Sequence, residues 1–238
     1  MKAKRKDLQV VRDLATQYAE LAAQPIQAER RRLWSAHHSL KPTRPLVLAT
    51  YGMWNVWCRE VFGDAAMTCE DPFYRHHERM LRMQIFHDTI GDDYILEPWL
   101  TQGASIQGNW GSMWGLVEGR HDAPVEGGAW QFDPPIRTWA DAAGLRATPH
   151  AVDEEDTARN VARLRDAVGD ILPIDVPHAP CYHGFGADIS TFLARLRGLE
   201  PLMLDMYEHP QELHRTLAFM RDGILANNQA ARTRATTR

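Results

Sequence analysis

The chain has 238 residues, 44% hydrophobic and 24% charged, with a formal net charge of −4. These values are ordinary for a globular protein of one or two domains, and they exclude a global field that would recruit nucleic acid or an anionic membrane. The cysteines Cys58, Cys69 and Cys181 form neither a C-x-x-C motif nor an even framework, no apolar run approaches the ~18 residues of a membrane span, and no apolar core follows the basic start, so a cytoplasmic location is expected.

Residues 7–38 read as one or two helices, with Leu8, Val11, Leu14, Tyr18 and Leu21 at helical spacing and Pro25 breaking the pattern. The basic ends, MKAKRKDL and ARTRATTR, read as solvated termini. Residues 44–51 (RPLVLATY) form a short apolar run before Gly52 and read as a first strand. Met53, Trp54, Val56, Trp57 and Cys58 follow at once, a dense apolar patch suited to lining a pocket. Asp71-Pro72 opens a helix to about Thr89, with Asp as cap and Pro at the first position. Met80, Met83 and Ile85 point inward on this reading, and Arg75, His76, His77 and Arg79 mostly outward. A second strand is expected at residues 94–97, beside the acid pair Asp92 and Asp93, which can serve as acid and base or as turn residues.

Residues 103–135 are rich in Gly and Trp and lack helical period, which predicts a β excursion or long loop. Trp110, Trp114 and Trp130 argue against disorder there. The segment has neither a phosphate loop nor a dinucleotide fingerprint. A short helix is expected at residues 139–143. The acids of residues 153–156 precede arginines in a helix closed by Gly169, an order that complements the helix dipole.

Residues 171–176 form a third predicted strand, followed by a loop with His178, Cys181, Tyr182 and His183. These types can transfer protons, orient a polar ligand or bind metal. Residues 188–197 are amphipathic through Ile189, Phe192, Leu193 and Leu196. Pro210 opens a last long helix with Leu213, Leu217, Met220 and Ile224 as its buried stripe. Met203 and Met206 between them read as core.

The texts PHAPCYHGFGADIS and G-x-E-x-L-M-x-D-M-Y-x-x-P-x-x-x-H, the latter over residues 198–214, resemble the uroporphyrinogen decarboxylase-like superfamily, which includes the decarboxylase of haem synthesis and corrinoid-linked methyltransferases. The resemblance extends more weakly back to about Glu29 and covers about the first half to two thirds of such a protein. It implies a partial (β/α)8 TIM barrel: N-terminal helices over residues 1–43, first βα units over 44–102, the Gly/Trp-rich insertion over 103–137, further units over 138–229 and a flexible tail over 230–238, all in a single domain.

Against the decarboxylase's arginine-rich R-Q-A-G-R-Y signature this chain reads LVLATYGMWNVW, with Thr50 and Met53 or Trp54 where the arginines fall. A tetrapyrrole bearing many carboxylates needs such cations, so the resemblance points to the methyltransferase branch and a small methylated or carboxylated substrate. Asp92 or Asp93 is nearest to the family's catalytic aspartate. Tyr182 is near, though not equivalent to, its tyrosine, which meets Gly186. The catalytic expectation is therefore Asp92, Asp93 and Tyr182. Substrate contact is expected from Tyr51, Trp54, Trp57, Trp110, His178, Cys181 and His183. No metal or cofactor is expected within the chain, with corrinoid or zinc reserved for a full-length relative. The expected partners are a small-molecule substrate, a corrinoid protein and a second copy in a homodimer, with no nucleic acid and no membrane. The alternatives are a true uroporphyrinogen decarboxylase, and a truncated, inactive barrel fragment acting only in assembly.

Overall fold

A computed structural model describes residues 2–50, 58–107, 113–124 and 129–235. The architecture is mixed α/β, dominated by helices, and the strands among the described residues are two or three residues long. No helix among them is long and apolar enough to cross a membrane. Two compact units emerge, Met1–Gln102 with Ala158–Val176, and Gly103–Thr157 with Pro177–Arg238.

The first unit is organised by α1 (Lys2–Ala22). Val11, Ala15, Tyr18 and Ala22 recur every three or four residues, and all are buried, as an amphipathic helix requires. They share a core with Tyr74 and Leu81 of α4 (Pro72–Asp88) and with Leu164, Ala167 and Val168 of α5 (Glu154–Val168). Between α1 and α4 come α2 (Pro25–His38) and the short α3 (Arg59–Phe62). Phe62 packs with Cys58, Met67 and Met83 in a smaller cluster. Asp7, buried on α1, accepts hydrogen bonds from the backbone N–H groups of Glu70 and Asp71. Asp71 in turn caps α4 through Phe73 N, the cap the Asp-Pro dipeptide announces. The unit's ladder is β1 (Leu100–Thr101) paired in parallel with β6 (Ile174–Asp175).

Three strand expectations change. Residues 44–50 are irregular, because side-chain carboxylates rather than a neighbouring strand occupy Val47 N and Ala49 N. Residues 94–97 are irregular for the same kind of reason: Leu96 N donates to Gln27 Oε1, Glu97 O accepts from the Tyr18 hydroxyl, and Leu96 O accepts from Arg31. Helical side chains satisfy backbone groups that a sheet would otherwise take. The third strand shortens to Ile174–Asp175.

In the second unit, β2 (Ile106–Gln107) pairs antiparallel with β5 (Ala151–Val152), and β3 (Gly119–His121) pairs antiparallel with β4 (Gln131–Asp133). The Gly/Trp-rich segment therefore does contain a β excursion. The expected short helix is a 3-10 turn at Asp141–Gly144. Its core gathers Trp114, Ile136 and Tyr182 with Phe192, Leu193 and Leu196 of α6 (Ile189–Arg197), Leu202 of α7 (Leu199–Glu208), and Leu213 and Met220 of α8 (Pro210–Ala235). Met203 and Met206, expected in the core, are about half exposed, as are Leu199, Leu204 and Tyr207 or more so. Only one face of this ten-residue helix meets the core, and these side chains occupy the others.

Candidate functional site

Asp92 and Asp93 are adjacent in sequence but take separate partners. Asp93 Oδ1 and Oδ2 receive Arg44 Nη2 at 2.5 Å and Nη1 at 2.8 Å, and Oδ2 also receives Val47 N at 2.8 Å. The Arg44 guanidinium, helped by Val47 N–H, holds the Asp93 carboxyl down at about 2. Asp92 Oδ2 accepts from His87 Nε2 at 3.0 Å and Ala49 N at 2.6 Å, while Oδ1 accepts from Tyr94 N at 3.0 Å. Burial opposes its ionisation, yet the His87 and backbone donors outweigh burial and lower its pKa. Tyr94 stacks on the His87 ring at 3.9 Å. A general acid works best with a pKa near the operating pH, so neither carboxyl is poised to give up a proton at neutral pH. Together they pin residues 44–49, which lead into the Trp-rich patch.

Four of the expected substrate-contacting residues, Tyr51, Trp54, Trp57 and Trp110, lie outside the described residues. The other loop residues are described. Tyr182 is buried and stacks on Trp114 at 4.6 Å. Its hydroxyl accepts from Thr148 N and donates to Met113 O, each at 2.7 Å, and burial raises its pKa. The phenol thus has its proton committed to a carbonyl. Cys181 is also buried; its Sγ lies 3.5 Å from Pro149 O and receives Asn227 Nδ2 at 3.2 Å. The same Asn227 amide reaches Thr148 O at 3.1 Å. Cys181 and Tyr182 are therefore strapped into the core of the second unit by a helix residue that sequence reasoning missed. His183 is exposed, its Nδ1 at Pro180 O, and His178 is half-buried.

His77, expected on the outer face of its helix, is buried instead. Its Nε2 donates to Gln102 Oε1 at 3.1 Å, and Phe73 meets the ring edge-on at 4.6 Å. Burial, with the neighbouring His76, pushes its pKa down to about 4, so the ring is neutral at physiological pH. Gln102 directly follows β1, and its N–H donates to Asp175 O of β6 at 2.9 Å. A neutral imidazole and a carboxamide thus stand at the carboxyl end of the parallel ladder, where ligands bind in parallel α/β folds. The spacing could have found His77, because Tyr74, His77, Glu78 and Leu81 fall on one helical face.

The second unit also contains a cleft of about 410 Å³ lined by Trp139, Leu145, Phe219 and small alanines, with Glu212, Arg215 and Thr216 as its polar groups. Trp139 is held in place by its indole N–H, which donates to buried Asp205 at 3.1 Å. Arg197 binds the same carboxylate at 2.7 Å and, ahead of the opposing burial, lowers its pKa. Among the described residues no three His, Cys, Asp or Glu side chains converge as a metal ion would require. Comparison with protein-family models, curated proteins and solved structures found no match.

Proposed function

We propose that the chain is a uroporphyrinogen decarboxylase-like enzyme of the small-substrate, methyltransferase type, built on part of a parallel α/β barrel. The observation that carries this reading is the parallel pairing of β1 with β6, with His77 and Gln102 at its carboxyl end. In a (β/α)8 barrel that end holds the chemistry. The neutral His77 ring donates through Nε2 and leaves Nδ1 as an acceptor, a pair suited to orienting a small polar substrate rather than ionising one. The apolar lining of the 410 Å³ cleft, with Arg215 as its cation, also favours a small ligand over a tetrapyrrole with many carboxylates. A corrinoid carried by a separate protein would accept the methyl group. The described His and Cys side chains do not fit a zinc site.

The test is methyl transfer from simple methylated amines, methanol and methoxyarenes to reduced cobalamin, followed by visible absorbance, with carbon dioxide release from uroporphyrinogen measured in parallel. Methyl transfer is expected, lowered about tenfold or more in His77→Phe while circular dichroism is retained. Carbon dioxide release alone would replace this reading with decarboxylation, and inactivity in both assays would overturn it.

A role in assembly is the second reading. It is favoured by Leu199, Met203 and Tyr207, which α7 exposes at 67%, 54% and 89%; contiguous exposed apolar surface commonly marks an interaction face. Sedimentation over a range of concentrations discriminates, since a chain that stays monomeric throughout counts against assembly.

A further inference from the structure

We propose that the β3–β4 hairpin and α6 form a separate binding site for a small aromatic carboxylate. The two elements enclose a cavity of about 290 Å³ in the second unit. The antiparallel register puts Arg120 opposite Phe132, and strand alternation puts Trp130 on the same face as Phe132. Trp130 and Phe132 meet edge to face at 4.1 Å, and the Arg120 guanidinium lies 4.9 Å over the Trp130 ring. From α6, Phe192 and Arg195 stand one turn apart, and Met113 and Glu118 add to the lining. The Arg195 guanidinium lies 4.5 Å over Phe132 and 5.1 Å over Phe192.

Both arginines are anchored through one nitrogen. Arg195 Nε donates to the nearly buried Glu118 at 2.6 Å, and Arg120 Nε donates to Asp122 at 2.6 Å. Their terminal nitrogens make no hydrogen bond among the described residues, which leaves two forks facing aromatic surface. A guanidinium fork matches a carboxylate, and the flat faces beside it match a ring. The volume lies at the lower end of ligand pockets and suits a molecule of about one ring. Glu118 and Asp122 balance the two arginines, so a monoanion fits better than a phosphate dianion. This site is independent of the proposed methyl transfer, and binding alone tests it.

The experiment is fluorine NMR of 4-fluorobenzoate added to the intact chain. Saturable broadening is expected, displaced by benzoate and much less by acetate or inorganic phosphate. Arg120→Gln alters a side chain that is 55% exposed, so the fold should persist by circular dichroism while affinity falls about tenfold. Trp130→Ala should act likewise, and Phe185→Ala, at a residue 95% exposed and not part of the lining, should leave binding unchanged. Absence of saturable binding, retention of full affinity in Arg120→Gln or Trp130→Ala, or equal displacement by phosphate would overturn the proposal.

Discussion

Glu78 is a carboxylate with no exposed surface, surrounded by the donors that ionisation demands. Thr68 N, the Thr68 hydroxyl and Cys69 N all donate to it, and Arg82 pairs with it at 2.9 Å. Burial works against its charge, but these donors prevail and hold its pKa at about 2. Glu78→Gln puts an amide where only acceptors fit and strands Arg82, so urea denaturation should show a loss of about 2–4 kcal/mol. Tyr182→Phe separates structure from catalysis. With its hydroxyl bridging Thr148 N and Met113 O, its removal should cost about 1–3 kcal/mol of stability. Any turnover measured below the melting transition should remain near wild type.

At the scale of elements, the helices were more legible than the strands, of which only the third and the β excursion of residues 103–135 have counterparts. Pro25, Asp71-Pro72, the acids of residues 153–156 and Pro210 mark helix starts through local backbone chemistry, and each marks one in the structure. Residues 44–50 and 94–97 carry equally good strand patterns. Their backbone groups are taken instead by Asp92, Asp93, Gln27, Tyr18 and Arg31. Those partners sit tens of residues away, beyond any local window. The acid pair stands out in the sequence, but its partners do not: Arg44 lies 49 residues upstream of Asp93. Gly198 joins α6 to α7 with φ +89° and ψ 141°, a conformation open to glycine and strained for other residues. A Cβ there would also sit 3.3 Å from Pro134 Cγ. Gly198→Ala should therefore lower stability by about 1–3 kcal/mol in thermal melts.

Over the whole molecule, acid should act in two stages. The folded pKa of His77 is about 4 against ~6.5 in an unfolded chain. The unfolded chain therefore takes up that proton first, and stability falls as pH drops from ~6.5 to about 4. Glu78 and Asp93 sit at about 2 when folded against ~4 unfolded. Their contribution is complete above ~4 and is lost as pH falls towards about 2. Denaturant titrations at about pH 7, 5 and 3 should resolve both stages. His77→Gln keeps a polar partner for Gln102 and should shrink the upper stage to the part that His76, also lowered by burial, contributes; an unchanged upper stage would show that another group sets it.

Met203 and Met206 stand 54% and 51% exposed on α7, whereas Met220 on α8 is fully buried. Thioether sulfur exposed to solvent reacts with peroxide to give a polar sulfoxide. On ageing, the tryptic peptide bearing that pair should gain oxygen well before the one containing Met220, which mass spectrometry would find altered only after the protein had opened.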